Sequence, residues 1–335
     1  MTEIAPMPTV DSRRGRSRGE SVTMFMGKYG ALMVLALLVV VFTSQQPKYF
    51  LTYGNMLQIF NQSALTAIIA CGLTLVLAAN QFDLSVGNVA SLSGIAVAAM
   101  LIAGVPIAVA IIIAILLGLC FGFVNAFLIT RLGVNSLVAT LGVGSVAIGV
   151  NYLISGGAAQ PFAAYVPEFT QISVGTWFGI PKNVYYMVVV VAILWVVLNR
   201  TVLGRNIQAV GGNAEASRLV GVPVGRVTTA ALLIGSITAA ITGILLASMV
   251  GSGQATGGDG FTLQAMTAAF LGTAVMREGQ FHILGTVVGV VTVATGFNGL
   301  AIIGVPTFAQ FLFQGLVLIA AVSFSTVARK LTRAG

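Results

Sequence analysis

Residues 84–130 have the sequence LSVGNVASLSGIAVAAMLIAGVPIAVAIIIAILLGLCFGFVNAFLIT, 47 positions without an Asp, Glu, Lys or Arg. A helix that crosses a bilayer needs about 20 mainly apolar residues, so this stretch has room for two. The whole chain of 335 residues is 57% hydrophobic and 7% charged, with a mean hydropathy of +1.01. A water-soluble domain has about a quarter of its residues charged. The composition therefore excludes an ordinary soluble enzyme and predicts an all-α membrane protein.

Similar apolar runs lie on both sides of this stretch. Dividing them at turn residues and charges predicts ten transmembrane helices, numbered 1 to 10 in chain order: 29–45, 56–80, 84–103, 106–129, 134–154, 183–198, 227–250, 263–276, 283–303 and 307–326. Glycines four residues apart, Gly118 with Gly122 and Gly285 with Gly289, predict close packing between helices.

The net charge of +8 is unevenly distributed over this topology. With both termini in the cytoplasm, only Lys48 and Lys182 of the 16 basic residues lie outside. The other 14 lie inside: Arg13, Arg14, Arg16, Arg18, Lys28, Arg131, Arg200, Arg205, Arg218, Arg226, Arg277, Arg329, Lys330 and Arg333. Basic residues concentrate in the cytoplasmic segments of membrane proteins. The charge thus supports this topology and needs no nucleic-acid partner.

Three segments lie outside the predicted helices or between them. Residues 1–28 predict a disordered Arg-rich cytosolic tail, which precedes a polytopic domain over 29–335. Residues 155–182 contain three prolines and predict an outer loop with interfacial or re-entrant elements. Residues 199–226 form the largest cytosolic segment between predicted helices.

Two pairs of short sequences indicate an internal repeat. RLGVNSL at 131–137 and IGVPTF at 303–308 each lead into a helix, with their glycines 171 residues apart. FDL at 82–84 and DGF at 259–261 each precede a helix, with their aspartates 176 residues apart. If predicted helices 2–5 correspond to 7–10, the two sets cross in opposite directions, as in the inverted repeats of transporters. Chance similarity between Gly-rich apolar segments is the alternative.

The chain contains few residues suited to catalysis. None of its four lysines lies in a nucleotide-binding G-x-x-x-x-G-K-[ST] motif, so we expect ATP hydrolysis to occur on a separate subunit. One histidine, His282, and two cysteines in apolar runs are too few for a metal site. We therefore expect no catalytic residue, no metal and no cofactor. Asp83, at the start of predicted helix 3, is expected either to cap that helix through its first amides or to act in gating.

Local signals predict a short helix within 199–226. Asn213 can cap it, Glu215 suits its first turn, and Gly221 followed by Pro223 can end it. A helix of one or two turns is unstable alone in water, because nucleation is costly. We therefore expect it to pack against the rest of the chain or a partner, with a solvated basic loop as the alternative.

Four stretches carry a family resemblance: DLSVG at 83–87, NAFLITRLG at 125–133, ATLG at 139–142 and GRNIQAVGGNAEASRLVG at 204–221. They resemble the permease subunits of bacterial ATP-binding-cassette (ABC) importers of the ribose/xylose/arabinose type, in the branched-chain/ribose permease superfamily. The likeness extends from about residue 30 to the C-terminus.

The resemblance implies a multi-pass protein of the bacterial inner membrane that imports a monosaccharide. Its implied partners are a cytosolic ABC ATPase, a periplasmic sugar-binding protein, a second permease copy in a homodimer or heterodimer, and membrane lipid. It also implies that 155–182 is periplasmic and that 199–226 is a coupling loop, whose helix over 213–220 contacts the ATPase. The residues expected to carry this coupling are Gly212, Asn213, Glu215, Ala216, Arg218 and Leu219.

Weakly polar helix faces are candidates for lining the pathway of a hydroxylated solute. Ser136 and Thr140 lie four residues apart on predicted helix 5, and so do Gln310 and Gln314 on predicted helix 10. Further candidates are Asn61, Asn88, Asn125 and Asn298. Small polar residues in membrane helices also serve packing and interhelical hydrogen bonding, which is the alternative for each.

The leading hypothesis is therefore a permease subunit that carries a monosaccharide inward by alternating access, powered by a separate ATPase. One alternative is an ion-coupled secondary transporter or channel, which paired ionisable groups within the membrane would favour. Another is an ABC permease for a non-sugar solute, such as a branched-chain amino acid.

Overall fold

A computed structural model of the chain describes residues 18–275 and 279–334. Its helices are α1 (Arg18–Gln45), α2 (Tyr53–Ala78), α3 (Val86–Ile102), α4 (Ile107–Thr130), α5 (Ser136–Ser155), α6 (Pro167–Thr170), α7 (Lys182–Arg200), α8 (Val202–Gly212), α9 (Ala214–Leu219), α10 (Val224–Val250), α11 (Asp259–Gly272), α12 (Ile283–Ile302) and α13 (Phe308–Ala334). Its short strands are β1 (Gln160–Pro161), β2 (Thr176–Trp177), β3 (Ile180–Pro181) and β4 (Ser252–Gly253).

Six helices in the described part of the chain are long and apolar enough to cross a membrane: α2, α4, α5, α7, α10 and α12. Shorter apolar helical stretches occupy Tyr29–Gln45, Val86–Ile102 and Phe308–Ser323. The prediction of an all-α membrane protein is confirmed.

Each of the ten predicted segments overlaps a helix, although some bounds differ. The helix predicted over 263–276 begins at Asp259, because Asp259 and Gly260 form its first turn instead of a loop. Helix α1 begins at Arg18, inside the segment 1–28 that was predicted as a tail, and residues 1–17 lie outside the described residues. Helix α8 was not predicted.

Helix α2 lies at the centre of the packing and is mostly buried. It contacts α7, α10, α11 and α12.

The close approaches that the glycines predict between helices are present. A Cβ at Gly118 of α4 would lie 2.7 Å from Ala240 Cβ in α10, and Gly289 of α12 packs against the Ala268 carbonyl of α11. These glycines allow backbones to approach closely without a side chain between them.

Helix α4 shows the opposite pattern, with large apolar side chains exposed along its length. Ile112, Leu116 and Phe123 are each more than half exposed. In a soluble domain such a surface would be unfavourable, but lipid tails solvate it without cost. The exposed side of α4 therefore faces the bilayer or another subunit.

The segment 156–181 is short of regular structure but is packed against the helices. Strand β1 pairs antiparallel with β4, placing Gln160 opposite Gly253, and β2 pairs with β3 in a hairpin. Phe162 and Phe169 are fully buried, with ring centroids 5.2 Å apart. Ser248 of α10 donates a hydrogen bond to the Phe169 carbonyl at 2.7 Å. These contacts hold the segment on the ends of α3, α4 and α10.

Two short helices, α3 and α11, meet at their N-terminal ends. Each follows a non-helical segment, 79–85 before α3 and 251–258 before α11. A Cβ at Gly87 would lie 2.5 Å from the Gly258 carbonyl oxygen, so the two backbones are in direct contact. The pairing is reciprocal, because the Gly87 amide donates to Thr262 Oγ1 at 3.0 Å and the Gly258 amide donates to Ser91 Oγ at 2.8 Å.

Candidate functional site

The segment 199–226 forms two consecutive helices, of which α8 packs on the body of the protein. The Thr201 hydroxyl caps α8 by accepting from the Gly204 amide at 3.1 Å. Ile207 and Val210 are buried against a cluster that includes Leu75 and Leu198. Helix α8 thereby contacts α2, α7 and α10.

Helix α9 follows immediately and has the predicted caps. Asn213 ends α8 and begins α9, and its Oδ1 accepts from the Ala216 amide at 3.0 Å. Arg218 donates to Glu215 at 2.8 Å along one side of the helix. Both side chains are more than 60% exposed, so the ion pair contributes only about 0.3–0.5 kcal/mol. The chain leaves α9 at Gly221 with φ +84°, a left-handed conformation that favours glycine.

All six residues expected to carry coupling lie together on this exposed corner. Gly212, Asn213, Glu215, Ala216, Arg218 and Leu219 are exposed. Leu219 is 82% exposed and Val220 is 80% exposed, whereas Ser217 is buried against the body. The structure therefore presents an apolar tip next to a charged pair, on a helix that is fixed by its neighbour α8.

Asp83 lies buried in the turn between α2 and α3. Its Oδ1 accepts from the Ser85 amide at 2.9 Å and from the Ser85 hydroxyl at 2.5 Å. The Ser85 amide lies just before α3, which begins at Val86, and it is the second amide of the helix predicted over 84–103. Asn125 of α4 donates to the same Ser85 hydroxyl at 2.9 Å. Asp83 therefore fixes the approach to α3 as part of a small buried network.

Ser136 and Thr140 support the same turn from α5. The Phe82 amide donates to Ser136 Oγ at 3.2 Å, and the Leu84 amide donates to Thr140 Oγ1 at 3.1 Å. Their shared face therefore points at the backbone of 82–84. These two residues lie beside Asp83, and the structure does not bring them together with Gln310 and Gln314.

A separate cavity of about 430 Å³ lies between α2, α11, α12 and α13. Ligand sites are typically clefts of about 300–1,000 Å³, lined by apolar groups with a few placed polar ones. Six amide side chains line this one: Gln58, Asn61, Gln62, Gln264, Asn298 and Gln310. Thus Gln310 and two of the four asparagine candidates converge on one space. Gln314 is buried one turn further along α13 and is not among the described lining residues.

Sequence reasoning missed Gln58, Gln62 and Gln264. Gln58 and Gln62 are four residues apart, which places them on one face of α2, and this spacing was the available signal. Gln264 has no such partner on α11. Gln264 lies near the other amides because four helices pack together, and the sequence pattern of a single helix does not predict that packing.

Comparison with known proteins found relatives that match most of the chain. The chain is 32% identical over 322 residues to the D-allose transport system permease protein AlsC of Escherichia coli, covering 96% of this chain and 98% of the relative. It is 33% identical over 306 residues to the L-arabinose transport system permease protein AraH of Escherichia coli, covering 91% and 92%. It is 34% identical over 297 residues to the ribose import permease protein RbsC of Bacillus subtilis, covering 89% and 92%. No solved structure is a significant match.

These relatives are transport permeases and not enzymes. A family model described as "Branched-chain amino acid transport system / permease component" matches residues 55–322. The match extends from the start of α2 into α13 and includes the α8–α9 corner, the Asp83 turn and the amide-lined cavity. This chain therefore belongs to that family of membrane permease components.

Proposed function

We propose that this chain is the membrane-spanning subunit of an ABC importer that carries a monosaccharide across the bacterial inner membrane. Its likeness to permeases named for D-allose, L-arabinose and ribose transport supports the sugar class. The same likeness favours an ATP-driven importer over an ion-coupled transporter or channel. ATP hydrolysis takes place on a separate subunit, because the chain has no phosphate-binding loop.

The proposed topology has ten membrane crossings and cytoplasmic termini. The crossings comprise the six long helices, the shorter apolar stretches of α1, α3 and α13, and the short helix α11. Of the 16 basic residues, 14 then lie on the inside. The repeat relates α2–α5 to α10–α13 in inverted orientation. The reciprocal contact between α3 and α11 supports it, since short helices that start within the membrane are typical of inverted-repeat transporters.

The observation that carries the mechanism is the exposed tip of α9. Leu219 and Val220 are exposed apolar side chains on a helix fixed by α8, and burying them in a cleft of a partner would remove apolar surface from water. We assign the coupling contact to Gly212, Asn213, Glu215, Ala216, Arg218 and Leu219. Because α8 packs on α2, α7 and α10, a displacement of α9 is transmitted through α8 to these three membrane helices.

The proposed complex contains two permease copies, ATPase subunits on the cytosolic face and a sugar-binding protein on the periplasmic face. The solute route includes Gln310 in the cavity, with Gln314 one turn away. Ser136 and Thr140 hold the turn at 82–84. This turn and the Asp83 network lead into α3, and α3 in turn contacts α11.

The test is Leu219→Glu in the complete importer, reconstituted in proteoliposomes with its ATPase and loaded binding protein. Burying an exposed leucine in a partner contributes about 1.5–3 kcal/mol, so losing that contact should lower ATP-driven uptake about tenfold or more. Leu132→Glu is the matched control, because Leu132 is 60% exposed on the same proposed side of the membrane. Uptake by Leu219→Glu equal to that of the control would contradict the coupling assignment.

A further inference from the structure

The amide-lined cavity differs from an ordinary packing defect in its chemistry. Its 15 described lining residues include six amides and Thr66 but no ionisable side chain. Each amide offers both hydrogen-bond donors and an acceptor, and each sugar hydroxyl likewise donates and accepts. A carboxylate lining would accept only, and an ammonium lining would donate only. The lining is therefore matched to neutral groups that do both.

Three of these amides are already oriented by hydrogen bonds to neighbouring side chains. Asn298 donates from Nδ2 to Asn55 Oδ1 at 2.9 Å, and Asn183 donates from Nδ2 to Asn61 Oδ1 at 3.3 Å. Thr66 donates to Gln264 Oε1 at 3.2 Å, which leaves the Gln264 NH₂ as a donor. Supporting bonds of this kind hold a binding group in place before the ligand arrives.

One polar atom at the cavity is left without a partner. Asn298 is 6% exposed, and its Oδ1 is buried with no hydrogen-bond partner among the described residues. A buried acceptor without a partner costs about 1–3 kcal/mol. A ligand hydroxyl that donates to Asn298 Oδ1 would remove that cost, which is a reason for a polar occupant.

Two aromatic rings complete the lining. Phe261 of α11 and Phe297 of α12 border the same space. The C–H face of a sugar ring is apolar and can pack on such rings, while its hydroxyls reach the amides. An α-amino acid fits less well, because its carboxylate and ammonium would both be desolvated with no charged side chain among the described lining residues to pair with either.

We propose that this cavity is a binding site within the permease for a neutral polyhydroxylated solute, a monosaccharide in its ring form. The proposal rests on the proposed function and names the place where the imported solute binds inside the membrane subunit. In the proposed topology α2 and α13 begin and α12 ends at the periplasmic side, so the cavity receives solute from that side. Asn298, Gln264 and Gln310 then hold the solute from three different helices.

The experiment uses the complete importer in proteoliposomes, with radiolabelled ribose, D-allose and L-arabinose as probes and L-leucine as the zwitterionic comparison. The variants are Gln58→Leu, Gln264→Leu and Gln310→Leu. Gln45→Leu is the matched control, an exposed glutamine at the end of α1 that lies outside the cavity. Uptake is normalised to the amount of inserted permease, and ATP hydrolysis stimulated by the loaded binding protein is measured in parallel.

We expect Gln264→Leu and Gln310→Leu to lower sugar uptake about tenfold, because each removes a hydrogen bond from a desolvated solute. Stimulated ATP hydrolysis should stay within about twofold of the Gln45→Leu value, since the variants leave the α9 contact intact. Gln58 is exposed, so Gln58→Leu tests the site without a cost to folding and should also lower uptake.

Two results would overturn the proposal in distinguishable ways. If the wild-type importer carries one of the sugars and all three cavity variants match Gln45→Leu, the binding site is wrong and the proposed function stands. If the wild-type importer carries L-leucine and none of the sugars, both the binding site and the proposed sugar function are wrong.

Discussion

The backbone amide of Gly87 donates a hydrogen bond of 3.0 Å to the hydroxyl of Thr262, 175 residues later in the chain. The return bond runs from the Gly258 amide to the Ser91 hydroxyl. Each short helix thus satisfies an amide at the start of the other, where helical amides lack partners within their own helix. The contact is one of the places where the two halves of the chain meet, and here their two short helices cross.

Gly87→Ala tests how tightly this crossing is packed. A Cβ at residue 87 would lie 2.5 Å from both the Gly258 carbonyl oxygen and Thr262 Oγ1, and backbone cannot move aside cheaply. Overpacking of this kind costs about 1–3 kcal/mol, so thermal unfolding in detergent should occur at a lower temperature. Gly142→Ala is the control, since a Cβ there meets no neighbouring atom within 4 Å. Equal unfolding temperatures for the two variants would show that the crossing is loose.

Asn213→Ala should loosen α9 without unfolding the protein. It removes the acceptor for the Ala216 amide, and loss of an N-cap costs about 1 kcal/mol. We expect faster hydrogen exchange at residues 214–219 and reduced ATP-driven uptake. Asn213→Asp keeps a capping oxygen and should restore both measurements. Slow exchange that persists in Asn213→Ala would show that α9 is held by packing alone.

Asp83→Ala and Asp83→Asn separate a positioning role from a role of the charge. The alanine variant leaves the Ser85 amide without its acceptor and should lower stability by about 1–3 kcal/mol. The asparagine variant keeps one carbonyl oxygen, so we expect near-normal stability and near-normal uptake. Normal stability with uptake lost in Asp83→Asn would instead assign the carboxylate to gating.

The orientation is tested by cysteine labelling in a Cys120→Ser background, because Cys120 is an exposed native thiol. Gln45→Cys should react with a membrane-impermeant thiol reagent in intact cells. Glu215→Cys should react only after the inner membrane is permeabilised, because the proposed topology places it in the cytosol. Labelling of Glu215→Cys in intact cells would contradict the proposed topology, because it would place residue 215 outside the cytosol.

The sequence predicted the helices better than the contacts between them. In a long uncharged run within the membrane, a helix is the structure that satisfies all of its own backbone hydrogen bonds, and so each predicted segment overlaps a helix. The start of α11 was misplaced because Asp259 and Gly260 are typical loop residues, yet they form its first turn beside α3. Helix α8 could have been found from Leu203, Ile207 and Val210, which share the spacing of an amphipathic helix.

The candidate sites also differ in how far they could be predicted from the sequence. Asn213, Glu215 and Gly221 act on residues one to four positions away, so their caps and helix end could be predicted from local sequence. Gln58 and Gln264 are 206 positions apart, and their meeting depends on the packing of α2 against α11. Spacing along one helix does not indicate which residues of different helices come together. The cavity could therefore be identified only from the three-dimensional structure.

The neutral lining of the cavity also determines what the membrane potential can do. Moving one elementary charge through 100 mV changes the energy by about 2.3 kcal/mol, but an uncharged sugar bound at the proposed site would move none. Voltage across the membrane therefore neither drives nor opposes this step. In the proposed importer, accumulation of the sugar against a gradient would therefore depend on ATP hydrolysis by the separate subunit and not on the resting potential of the cell.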